Sequence, residues 1–235
     1  MLALVSEIIG TIGGFGSSLL FVPIAGYFLD FHSVLGVTAM FHISSNVTKI
    51  ALFKHGFDRK LILYMGIPAV VFVMAGAWIS KYMDSALLQT ILGCFLILMS
   101  LALLLFRQLA FKPTNSNSVG SGILSGFVAG LLGTGGAIRG LALSAFHLKT
   151  EVFIATSAII DLGVDSSRTI IYGMNGYLHT HDLYLIPLLF VVSVIGTYIG
   201  RYLLRFVSET QFRRTVLLLI LGTGIFTLME TLHIF

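Results

Sequence analysis

Gly10-Thr11-Ile12-Gly13-Gly14-Phe15-Gly16, near the start of the chain, is answered by Gly130-Leu131-Leu132-Gly133-Thr134-Gly135-Gly136 in its second half. Both clusters interrupt apolar stretches, and Ser17 and Ser18 follow the first. Glycine permits backbone conformations that other residues avoid. At membrane depth such backbone survives only where protein or a water-filled cavity satisfies it. A break at these points makes a hairpin whose second arm begins with free N–H groups, and these attract anions. The competing reading is close packing of unbroken helices through small residues. Two matched clusters favour the broken hairpin.

The match extends outward at an offset of 119 to 120. Ile67-Pro68 pairs with Ile186-Pro187, and Gly76-Ala77-Trp78-Ile79-Ser80-Lys81-Tyr82 pairs with Gly196-Thr197-Tyr198-Ile199-Gly200-Arg201-Tyr202. Three matches in the same order divide the chain into a first repeat, 1–112, and a second, 119–235. The stretch 113–118 is expected to be a solvated linker, because Pro, Asn and Ser favour loops there. Each half reads as four apolar units, at about 2–30, 34–54, 61–82 and 85–107, then 119–146, 152–173, 183–205 and 213–233.

Hydrophobic residues make up 57% of the 235 and charged residues only 10%. Soluble domains carry about 25% charge, and disorder needs low hydrophobicity, so a bilayer-solvated, all-α polytopic bundle remains. Leu61–Ser80, Ser85–Phe106 and Leu183–Gly200 lack any charge and are near the roughly 20 residues that cross a hydrocarbon core of about 30 Å. Cys94 is the sole cysteine, so no internal disulfide forms, and it reads as a small packing residue. The net charge of +4 reports loop orientation rather than nucleic-acid binding.

Orientation follows from Lys and Arg placement. Eight full crossings divide the loop cations almost evenly and give no orientation. If the first unit of each half enters and returns on the same side, Lys54, Arg59, Lys60, Arg107, Lys112, Lys149, Arg201, Arg205, Arg213 and Arg214 share one side, against Lys81 alone. That predicts two inverted repeats, each starting with a glycine-broken helical hairpin, with both termini outside the cell membrane.

Polar residues within the spans carry the chemistry by default. His42, Asn46 and Lys49 are spaced i, i+4, i+7, and so are Asp161, Asp165 and Arg168. Offset 119 maps one set onto the other. Each set shares one helix face, with Thr38 and Ser157 a turn away, so the two stripes are expected to face each other or a shared cavity. Asp165 and Arg168, at i, i+3, also suit a structural ion pair. Arg139 follows the second glycine cluster and has no equivalent in the first half. It either binds an oxyanion bidentately or pairs with Asp161 or Asp165. Glu7 and Glu230, in apolar stretches near the chain ends, are weaker candidates. No metal-ligand spacing is present, and no cofactor is expected.

The glycine-rich hairpin with a following Pro (Gly13-Gly14-Phe15-Gly16, then Pro23), its repeat at Gly133-Thr134-Gly135-Gly136, and the Gly56-Phe57-Asp58 and Gly176-Tyr177 turns resemble the sulfite exporter TauE/SafE family across nearly the whole chain. That resemblance implies a small permease of inverted repeats for sulfite, sulfonates or other sulfur-containing or organic anions. Leu143 stands where a second Pro would match Pro23, and Arg139 adds a cation, so a different or more highly charged anion is expected.

The resulting expectation is a secondary transporter in the cell membrane. Gly13, Gly14, Gly16, Ser17, Lys49, Thr134, Gly135, Gly136, Arg139 and Arg168 would bind the anion. Asp161 or Asp165 would carry a coupling proton, because burial raises a carboxylate's pKa, with His42 a second proton candidate and Asn46 completing the stripe. The partners are thus a small anion, a proton and the lipid bilayer, with room left for a homo-oligomer. A passive anion channel and a membrane-embedded enzyme are the alternatives, although no His-Glu-x-x-His or Gly-x-Ser-x-Gly motif supports the latter.

Overall fold

A computed structural model describes residues 1–13, 16–54, 56–105, 112–179, 184–206 and 209–232. Among them are ten helices and no strand: α1 (Leu2–Gly13), α2 (Ser18–Ala25), α3 (Phe31–Leu52), α4 (Arg59–Ser80), α5 (Ser85–Leu105), α6 (Asn115–Leu132), α7 (Gly136–Ser144), α8 (Thr150–Met174), α9 (Leu185–Leu203) and α10 (Glu209–Thr231). A π-helical turn at Ile62–Gly66 lies within α4. The eight expected units are all present, with the first unit of each half split in two. One boundary differs. Helix α6 starts at Asn115, inside the stretch expected to be linker, because the Thr114 hydroxyl accepts the Asn117 N–H at 3.2 Å and serves as its N-cap.

Left-handed glycines set the turns. Gly16 (φ 87°) and Gly133 (φ 76°) lie at the two breaks, while Gly56 (φ 104°) and Gly176 (φ 82°) follow the two long polar helices α3 and α8. Side chains are strained in this region and glycine is not. At Gly135 an added Cβ would strike the Ser125 carbonyl, so α7 begins beside α6 two turns back from its end. The first unit of the second half therefore doubles back as a hairpin.

Glycine packing also operates, away from the breaks. A Cβ at Gly122, Gly126 or Gly130 of α6 would run into the Met65, Ala69 or Val73 carbonyl of α4. Gly196 and Gly200 of α9 likewise admit α1 at Leu4–Thr11. Small residues at four-residue intervals let helix backbones touch. The pairing exchanges when the halves are swapped: α6 packs on α4 as α1 packs on α9, and α8 packs on α4 as α3 packs on α9. Helices α3 and α8 pack on each other, as do α5 and α10.

The α3–α8 pair is antiparallel. Ser33 meets His179 at one end (2.7 Å), Asn46 meets Asp165 midway (2.7 Å), and the Asp58 N–H reaches Thr156 at the other end (2.9 Å). The Asp58 and Gly176 turns therefore sit at opposite ends of this pair. Arg201 stacks over Phe53 at the Asp58 end.

Helices α4, α5, α9 and α10 (from Arg214) are long and apolar enough to cross a membrane. They expose Val71, Leu98, Phe190 and Ile225 outward. Trp78, Tyr82, Tyr198 and Tyr202 are exposed near the C-terminal ends of α4 and α9, as interfacial aromatics would be. Helices α3 and α8, which carry the polar stripes, sit inside this shell. Cys94 is exposed on α5 and does not pack in the core, because α5 turns Leu92, Gly93 and Leu96 inward and leaves position 94 on the outer face.

Candidate functional site

The second arms of both hairpins start at one place. Helix α2 begins after Ser17 and α7 begins after Gly135. Gly16, Ser17 and Ser18 from one break, and Gly133, Gly135 and Gly136 from the other, line a cavity of about 30 Å³. Helices α3 and α8 close its sides with His42, Ser45, Asn46, Lys49, Asp161, Asp165 and Arg168, and Arg139 reaches in from α7. That volume holds about one or two water molecules. Of the expected site residues, Gly13 ends α1 and does not line the cavity, and Thr134 is buried alongside it, accepting a hydrogen bond from Ser18 (3.1 Å). Gly14 lies outside the described residues.

The cations are not free. Arg168 Nη2 holds Asp165 at 2.7 Å, its Nη1 donates to the carbonyls of Gly133 (2.8 Å) and Ala129 (3.3 Å), and its Nε has no partner among the described residues. Arg139 pairs with Asp161 rather than Asp165, and its Nε donates to Ser157 (3.3 Å). Lys49 pairs with Glu7 at 2.8 Å. Among the described residues the site thus holds three cations and three carboxylates and is formally neutral. Each buried cation thus has a carboxylate partner that offsets the cost of removing its charge from water.

Glu7 is the residue that sequence reasoning underrated. It is 0% exposed. Its Oε1 accepts from Ser45 (2.5 Å), Thr197 (3.1 Å) and Thr11 (3.2 Å) as well as Lys49, and its Oε2 accepts from Ser17 (2.8 Å). The matching stretch of α6, Gly126-Phe127, carries no charge. In the first half the hairpin supplies the carboxylate and the long helix the cation. In the second half the hairpin supplies the cation, Arg139, and the long helix supplies Asp161.

The two clusters are joined. Asn46 Nδ2 donates to Asp165, Arg168 Nη2 reaches His42 Nδ1 at 3.2 Å, and His42 Nε2 lies 2.9 Å from Ser17 Oγ. Residues 119 apart in sequence meet directly in the Asn46–Asp165 bond, so the two stripes face each other across the cavity as their register predicts.

The profile of the sulfite exporter TauE/SafE family matches residues 1–227. A probable membrane transporter protein of Methanocaldococcus jannaschii is 27% identical over 180 residues, covering 68% of this chain and 67% of the relative. No solved structure matches the chain significantly. With its apolar outer helices around a polar, charge-paired centre, the chain belongs to the sulfite exporter TauE/SafE family and is a membrane transporter.

Proposed function

We propose that this transporter is a secondary permease moving a small anion, of the sulfite, sulfonate or related sulfur-containing or organic class, across the cell membrane by alternating access and with proton coupling. The observation that carries the reading is the convergence of both hairpin breaks and both polar stripes on one small cavity between the halves. The start of α7 offers N–H groups to an anion, and Arg139 stands one turn further on.

Of the three carboxylates, Asp161 is the least buried, at 19% side-chain exposure against 5% for Asp165 and 0% for Glu7. It is therefore the one that gives way. The entering oxyanion takes over Arg139, whose guanidinium forms two parallel hydrogen bonds with such groups. The spare Nε–H of Arg168 supplies a further donor. Because the cavity holds little more than water, the anion is admitted by a movement at the interface between the halves, as a carrier requires and an open pore does not. In this reading the halves are inverted in the membrane, the Asp58 end of the bundle with Lys54, Lys60 and Arg201 is cytoplasmic, and both termini are outside.

Purified protein in proteoliposomes tests the proposal. Counterflow of sulfite or a sulfonate is expected to saturate and to be stimulated by an imposed proton gradient. Arg139→Gln is expected to raise the half-saturating anion concentration at least tenfold, the loss of one charge-assisted pair of bonds. Flux unchanged in Arg139→Gln, Asp165→Asn and Arg168→Gln alike would remove this mechanism.

A further inference from the structure

We infer that Glu7 binds the coupling proton and receives it from the cavity through His42 and Ser17, an assignment that rests on the proton-coupled reading above. The hydrogen bonds have a fixed direction. A guanidinium can only donate, so His42 Nδ1, 3.2 Å from Arg168 Nη2, accepts. The ring proton is then on Nε2, which donates to Ser17 Oγ at 2.9 Å. The one hydrogen of Ser17 is thereby committed to Glu7 Oε2 at 2.8 Å. His42 and Ser17 line the cavity and Glu7 does not. The chain thus connects cavity water to a carboxylate that water cannot touch.

The transfer balances. A proton adds to His42 Nδ1 once Arg168 lets go. The Nε2 proton passes to Ser17 Oγ, and the hydroxyl's own proton passes to Glu7 Oε2. One proton enters and one is delivered, and His42 is left neutral in its other tautomer. That tautomer carries a hydrogen on Nδ1 and cannot accept from Arg168. Loading Glu7 therefore leaves an Arg168 donor free for the anion, in addition to its unpaired Nε. Oε1 is already crowded by three hydroxyls and Lys49, whereas among the described residues Oε2 receives Ser17 alone and has a lone pair to take the proton.

The charges around Glu7 set the stoichiometry. Lys49 of α3 faces it directly, and His42 of α3 faces it through Ser17. Thr197 of α9 contributes only a hydroxyl. Asp161, Asp165 and Arg168 of α8 and Arg139 of α7 lie across the cavity. A proton on Glu7 leaves Lys49 without its counter-charge and the site with one net positive charge, which a monovalent anion cancels.

Infrared difference spectra of the purified protein, acid minus neutral, read this without any anion. The chain has ten acidic residues that absorb on protonation, so the Glu7 signal is the component of the carboxylic-acid C=O band present in the wild type, in Asp161→Asn and in Asp165→Asn and lost in Glu7→Gln. In Ser17→Ala, which keeps the acid but removes the bond to Oε2, that component is expected to shift. Wild-type and Glu7→Gln spectra that coincide, or a component unmoved in Ser17→Ala, overturn the assignment. In proteoliposomes Ser17→Ala and His42→Gln are expected to slow proton-driven uptake roughly tenfold or more, since a positioned proton donor contributes at least that. If the wild type moves no anion under any gradient, the transport reading fails, and the spectra still decide Glu7.

Discussion

Arg168 is among the largest side chains wholly enclosed by this protein, and its surroundings show how a charge is kept in the middle of a membrane bundle. Two backbone carbonyls, one carboxylate and an imidazole nitrogen take its Nη hydrogens. Asp165 is held in turn by Asn46. Removing one partner strands the other, so Arg168→Gln is expected to cost about 3–5 kcal/mol. The double variant Asp165→Asn with Arg168→Gln is expected to recover part of that, as thermal unfolding in detergent would show. A different aspartate answers to pH. Burial raises Asp30, but hydrogen bonds from Ser85, Ser33 and His32 outweigh burial and hold its carboxyl below the ordinary 3.8. A depressed folded-state value gives stability that is present above 3.8 and lost as pH falls through the lowered value. Asp30→Asn is thus expected to flatten the acid limb of stability against pH, measured by the same unfolding assay.

At the scale of the element, the helices owe their positions to glycine as much as to apolar burial. Gly126 lies against the Ala69 carbonyl with no room for a side chain. Gly126→Val is expected to part α4 from α6 and destabilise the bundle by about 2–3 kcal/mol or more, an overpacking penalty visible as a lowered melting temperature. The same element scale explains what was legible in the chain beforehand. The i, i+4, i+7 stripes of α3 and α8 announced themselves because helical periodicity is local and the two stripes matched. The hairpin breaks were legible because Gly16 and Gly133 adopt conformations that few other residues tolerate. Glu7 was legible only as a weaker candidate. A lone acid in an apolar helix has no local pattern, and its partners Ser45 and Thr197 lie 38 and 190 residues further on. The pairing of Arg139 with Asp161 was unreadable for a similar reason, since it depends on how the short helix α7 leans toward α8.

For the whole molecule, the antiparallel course of α3 and α8 places Lys54, just after α3, and Met174, at the end of α8, both exposed, toward opposite ends of the bundle. With Cys94 replaced by Ser, single cysteines at these two positions are expected to react with a charged, membrane-impermeant thiol reagent from opposite sides of sealed vesicles. Labelling from the same side would contradict two halves lying upside down to one another. The neutrality of the centre has a further effect on how the cargo arrives. Opposed charges a few ångströms apart produce a field that dies away within the protein, so nothing at the core pulls on an ion still in bulk water. Any response of the uptake rate to background salt then reports the exposed cations at the mouth, such as Lys54 and Lys60, and not the core.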